Sequence, residues 1–110
     1  MHISKTLPLL LAAVLLLAGT AQAHKVNLFA YAQDGTVYVE GYFSDGTPVS
    51  DAQVQVLDST GGKQVQGQTD AQGLFDASIP VVDDLTIVLH AGMGHRASFL
   101  LEKSRVEAGQ

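Results

Sequence analysis

Beyond residue 24 the chain carries seven short segments rich in Val, Ile, Leu, Phe and Tyr, separated by clusters of Gly, Asp, Asn, Pro and Ser. In the third segment Val54 and Val56 alternate with Gln53 and Gln55, which is the two-residue period of a strand with one buried face. The pattern predicts strands at 25–33, 36–43, 52–58, 63–68, 73–79, 85–90 and 95–102. We therefore expect an all-β, seven-stranded antiparallel sandwich of the Ig-like or transthyretin-like kind, with no helix after residue 24.

The turn residues fix some of the strand pairing. Asp34-Gly35 lies between two alternating runs, and glycine supplies the positive φ that a primed hairpin turn requires. We expect the first two strands to pair there. If every later connection also reverses the chain, the first and seventh strands begin at the same end of the sandwich.

The N-terminus has the layout of a secretory signal peptide. Lys5 precedes an apolar run at 7–18, and the small residues Ala21 and Ala23 follow it. The run is shorter than the roughly 20 residues that span a bilayer, which favours cleavage over an uncleaved anchor. We expect a helical signal peptide at 1–23 cleaved before His24, a periplasmic or secreted β-sandwich domain at 24–104, and a flexible polar tail at 105–110.

Composition limits the classes of partner. The formal net charge is −5, which disfavours nucleic acid and anionic membranes and mildly favours cations. The chain has no cysteine, so the domain is expected to be stabilised by apolar burial and backbone pairing without disulfides.

Between Gly46 and Ile79 the chain carries a sandwich motif. It reads G-x-P-V-x-x-A-x-V-x-V followed by G-x-T-D-x-x-G-x-F, and it resembles the carboxypeptidase-regulatory or transthyretin-like modules. The resemblance implies a fold and leaves function open, because one fold hosts many functions.

Four further segments carry a narrower likeness: HKV at 24–26, EGYFSDG at 40–46, DLTIV at 84–88 and AGMGHRA at 91–97. Together they resemble the periplasmic domain of small accessory components of energy-coupling-factor nickel and cobalt transporters. The resemblance implies a protein that presents or passes a nickel or cobalt ion to a membrane transporter component.

His24 is the most informative candidate ligand. Cleavage before it would give one residue a free α-amine and an imidazole, whose nitrogens can chelate a single metal ion as in a histidine brace. Both groups lose protons readily near neutral pH, so a metal can compete for them. The alternative is that signal peptidase merely leaves a histidine first.

The other candidates lie near the seventh strand. His95 follows a loop with two glycines that permits close backbone approach, and it ranks above His90 as a ligand. Met93 ranks last because its thioether suits a soft ion such as Cu(I). Each histidine has the ordinary alternative of a surface residue, and acidic turn residues such as Asp45 and the pair at 83–84 are not expected to be ligands.

The sequence contains none of the motifs that would indicate an enzyme. The chain has no cysteine nucleophile, no G-x-S-x-G, no H-E-x-x-H and no glycine-rich phosphate loop before a helix. The leading hypothesis is a non-enzymatic periplasmic nickel- or cobalt-binding module with His24 and His95 as ligands. Two alternatives remain: a metal-free envelope interaction module, and a copper-handling protein that uses the same brace.

Overall fold

The computed structural model describes residues 25–110 as seven strands and one short helix. The expected signal peptide, its cleavage site and His24 lie outside the described residues. The predicted strands are confirmed, with ends that differ by no more than two residues. The elements are β1 Val26–Gln33, β2 Thr36–Phe43, β3 Gln53–Leu57, β4 Lys63–Gln68, β5 Leu74–Ser78, β6 Leu85–Gly92, β7 His95–Leu101 and α1 Lys103–Ala108.

The strands form two antiparallel sheets, as the predicted all-β sandwich requires. One sheet has the order β1-β2-β5 and the other has the order β4-β3-β6-β7. The chain therefore crosses between the sheets after β2, after β4 and after β5. The β1–β2 hairpin closes at Asp34 and Gly35, with φ angles of 51° and 79°, so the predicted primed turn is present.

The core lies between the two sheets and is almost entirely aliphatic. Its members are the inward residues of alternating strands, because every second side chain of a strand faces the partner sheet. Thr69 is the one buried polar side chain among the described residues, and its hydroxyl donates to Val49 O at 2.6 Å and accepts from Ala52 N at 3.0 Å. The members of this core cluster that are least exposed are Val37, Val39, Val54, Val56, Leu85, Ile87, Leu89 and Val106.

β1 and β7 run side by side in the same direction, one in each sheet. Gly41 and Leu89 contact each other across the core, where a Cβ on Gly41 would lie 2.6 Å from Leu89 Cδ2. Gly41 pairs with Leu28 of β1, and Leu89 pairs with Ala97 of β7. Leu28 and Ala97 therefore lie at one height, near the starts of their strands. Near their ends, the N–H of Gly35 donates to the carbonyl of residue 109, just past α1, at 2.8 Å. Both strands therefore begin at the same end of the sandwich.

The C-terminal segment departs from the sequence prediction. The sequence predicts no helix and a flexible tail at 105–110, whereas Lys103–Ala108 forms α1 and Val106 is fully buried. Asp84, the residue before β6, accepts a hydrogen bond from the Lys103 N–H through Oδ1 at 2.7 Å. This bond caps the first turn of α1. Gly109 packs so closely on Ala32 that a Cβ would overlap its carbonyl. The segment is short and polar, but it is anchored to the sandwich.

No helix among residues 25–110 has the length and hydropathy to cross a membrane.

Candidate functional site

His95 is the first residue of β7, at the end of the sandwich where β1 also begins. It shares a strand face with Phe99, which packs against the core, and Leu101, which lies in it, and it is half-buried. Its ring makes no hydrogen bond or ion pair with another residue in the range 25–110. The imidazole is therefore available for a ligand at the margin of the core.

The turn before His95 is built from residues with positive φ. Gly92, Met93 and Gly94 have φ angles of 83°, 52° and 80°. Glycine adopts this region at no steric cost, whereas Met93 is an uncommon occupant of it. The Met93 side chain is 98% exposed, so its thioether is presented to solvent at the tip of the β6–β7 hairpin.

His90 lies on the other face of the same sheet. It pairs with Gln53 and Arg96, and its Nε2 is 3.4 Å from Gln55 Oε1 on the outer surface. Because successive side chains of a strand point to opposite faces, the outward position of Arg96 puts the neighbouring residue, His95, on the inner side. The structure thus separates His90 from His95.

The start of β1, which directly follows His24 in the sequence, is fixed by hydrogen bonds from Ser44. The carbonyl of Lys25 accepts hydrogen bonds from the N–H of Ser44 at 3.1 Å and from its hydroxyl at 3.3 Å. Lys25 is three residues before Leu28 and His95 is two before Ala97. At a rise of about 3.3 Å per residue, Lys25 and His95 differ in height by about one residue.

Most of the acidic turn residues lie far from His95. Asp83 and Asp84 precede β6, at the opposite end of the sandwich, where Asp83 Oδ2 accepts from the Ser59 N–H at 3.0 Å. Hydrogen bonding by the Ser59 side chain lowers the pKa of Asp83 below 3.8, and hydrogen bonding by the Thr60 side chain does the same for the pKa of Asp58. These carboxylates stabilise turns.

Asp45 is one of three acidic turn residues at the His95 end, with Asp51 before β3 and Asp70 after β4. It belongs to the turn after β2, and its Oδ1 accepts a hydrogen bond from the Thr47 N–H at 2.9 Å. Within residues 25–110 no group of three or more His, Cys, Asp or Glu side chains is placed to hold a metal ion.

A second surface feature is not among the sequence predictions. The outer side of the β1-β2-β5 sheet carries an aromatic face, defined here as Phe29, Tyr31, Tyr38, Tyr42 and Leu74. Phe29, Tyr42 and Leu74 are between 43% and 45% exposed. Local hydropathy holds no signal for it, because β1 is apolar at every position from 28 to 32.

The aromatic rings on this face contact one another. Tyr31 and Tyr38 are stacked with centroids 5.1 Å apart, and Phe29 meets Phe99 of β7 edge-to-face at 5.5 Å. A groove of about 470 Å³ opens beside Phe29 and Tyr31, between β1, the end of β7 and α1, and Arg105 lines it. Rings that are held in this way present a rigid, partly apolar surface.

The comparisons with known proteins give a relative without an assigned activity. The chain is 35% identical over 90 residues to an uncharacterized protein of Haemophilus influenzae, across 79% of this chain and 56% of that protein. The chain thus spans about half the length of that relative. No family model matches the chain, and no solved structure matches it. What the domain does must be argued from its own residues.

Proposed function

We propose that this protein is a periplasmic transition-metal-binding module that captures or delivers Ni(II) or Co(II) for a membrane uptake system. In this proposal the α-amine and imidazole of His24 and the imidazole of His95 are the ligands. The protein binds the ion and catalyses no reaction.

The observation that carries the proposal is that β1 and β7 begin at the same end of the sandwich. Lys25, the residue after His24, is fixed there by Ser44, and His95 lies within about one residue of it in height. The two histidines are 71 positions apart in the chain, and the fold brings the two strand starts to one end. That arrangement is the one that a shared ion requires.

The ligand types fit several ions. Amine and imidazole nitrogens suit Ni, Co, Cu and Zn, and intrinsic affinity favours Cu(II), so nickel and cobalt are preferred here through the transporter resemblance. Met93, exposed at the tip of the turn that leads into His95, is a specific observation in favour of copper as the second candidate. A thioether would add affinity for Cu(I) and little for Ni(II).

The test is calorimetric titration of Ni(II), Co(II) and Cu(II) into protein that begins at His24. His95→Ala and a one-residue extension ahead of His24 should each weaken binding by at least about tenfold, since the loss of even an outer-shell partner costs that much at many metal sites. His90→Ala is the matched control, because His90 faces the other side of the sheet and should have little effect. Unchanged affinity in both ligand variants would refute the site.

A further inference from the structure

The aromatic face surrounds two carboxylates. Glu40 pairs with Phe29 on one side and Leu74 on the other, and Asp76 pairs with Tyr38. The outward residues of β1, β2 and β5 include no Lys or Arg. Neither carboxylate forms an ion pair with any residue from 25 to 110. The face is therefore aromatic and negatively charged, and no cation among residues 25–110 pairs with its two carboxylates.

We propose that this face binds an arginine-bearing, extended segment of another protein. Arginine combines the two properties that the face complements: its guanidinium stacks on aromatic rings, and its fork of N–H donors matches a carboxylate. The partly exposed position of Glu40 among Phe29 and Leu74 favours a charge-assisted hydrogen bond in a setting that is drier than open solvent.

The spacing of the two carboxylates limits which peptide sequences the face can bind. Glu40 pairs with Leu74, and Asp76 is two residues further along β5, so the two acids are diagonal neighbours on adjacent strands. Such neighbours lie about 7–8 Å apart. In an extended segment, residues two apart face the same side and are separated by about 7 Å. The face is therefore matched to an Arg-x-Arg pattern.

The groove beside the face adds a mixed subsite, lined by apolar side chains and by Glu102 and Arg105. Phe29 and Tyr31 belong both to the aromatic face and to the groove wall, and Phe99 closes its other side. A segment that lies across the face can place an apolar side chain in this groove. The contact is confined to one face of a three-stranded sheet and the groove beside it, so we expect an interface of the small, transient class.

The experiment uses labelled, end-blocked peptides titrated into the purified chain and followed by fluorescence anisotropy. The probe contains Arg-Val-Arg flanked by Thr and Ser. One comparison peptide has Arg-Arg-Val, which carries the same charge but puts its arginines on opposite sides of an extended chain. A second has Lys-Val-Lys. We expect the Arg-Val-Arg peptide to bind most tightly, and we expect binding to weaken as salt is raised.

Conservative variants locate the contact. Glu40→Gln should weaken binding of the Arg-Val-Arg peptide about fivefold, and Glu40→Gln combined with Asp76→Asn at least tenfold, from the usual size of one and of two partly exposed, charge-assisted ion pairs with arginine. Glu107→Gln on the exposed side of α1 removes the same charge and should change nothing. Thermal melts of all three variants check that the fold is retained.

Three results would overturn the proposal. Equal binding of the three peptides, or binding that Glu40→Gln leaves unchanged, would mean nonspecific attraction to an acidic protein. Absence of binding at millimolar peptide would mean that arginine is not the ligand. Sedimentation that shows a dimer disrupted by Phe29→Leu would assign the face to a second copy of this chain.

Discussion

Val106→Ala tests whether α1 is an integral part of the domain. Val106 is fully buried and is the one residue of the helix that packs into the core. Its replacement removes two buried carbon atoms at about 0.8 kcal/mol each and leaves a small cavity, for a loss of about 2–2.5 kcal/mol. Alanine's higher helix propensity returns about 0.5 kcal/mol, so the net loss of unfolding free energy is about 1.5–2 kcal/mol.

Thermal and urea unfolding measure this loss. For a domain of this size about 4–8 °C accompanies each kcal/mol, so the midpoint should fall by roughly 6–16 °C. Glu107→Ala is the matched control on the exposed side of the same helix, where its ion pair with Lys103 is long, at 4.0 Å, and more than half exposed. The control should change stability by less than about 0.5 kcal/mol. Equal, small effects of the two substitutions would show that the helix does not pack in solution.

Three further predictions concern the sandwich itself. Thr69→Val should cost about 2–4 kcal/mol in urea unfolding, because it leaves two buried backbone groups without their partner, and Thr69→Ser should restore much of the loss. Gly67→Ala should lower the melting temperature because its Cβ would overlap the ring of Phe75, and an additional Phe75→Leu should relieve part of that effect. The hydrogen bonds that lower the pKa values of Asp58 and Asp83 stabilise the folded state fully above pH 3.8. This contribution is lost as the pH falls toward the lowered values. The melting temperature of the Asp58→Asn, Asp83→Asn double variant should therefore depend less on pH below about 4.

The strands could be predicted because local chemistry specifies them. Alternation in β3 and β6 and the positive-φ positions of the Asp34-Gly35 turn depend on residues close in sequence. The helix could not be predicted, because its signals are distant. Its first turn is capped by Asp84, and its end packs against Ala32, so a polar six-residue segment is stabilised by contacts that the local pattern does not contain.

The candidate surfaces were predictable to different degrees. Strand parity was enough to expect the starts of β1 and β7 at one end, but not to decide which face each histidine takes, since that depends on the register of β6 against β7. In β1 the run Leu28, Phe29, Ala30, Tyr31 and Ala32 is apolar at every position. Hydropathy alone would bury the large aromatic residues, yet the structure buries the alanine at position 30 and leaves Phe29 at the surface.

The two proposed sites use different properties of one strand. The proposed metal site depends on where β1 begins, which is the same end of the sandwich as His95. The proposed peptide contact depends on the outward side chains of β1, such as Phe29, on the aromatic face. Glu40 and Asp76 project from β2 and β5, which contribute none of the proposed metal ligands. Loss of metal binding in His95→Ala should therefore leave the peptide contact intact, because no residue of either site supports the other. Failure of one proposal accordingly leaves the other standing, and an envelope domain that binds a partner without binding metal would still use the outer face of its smaller sheet.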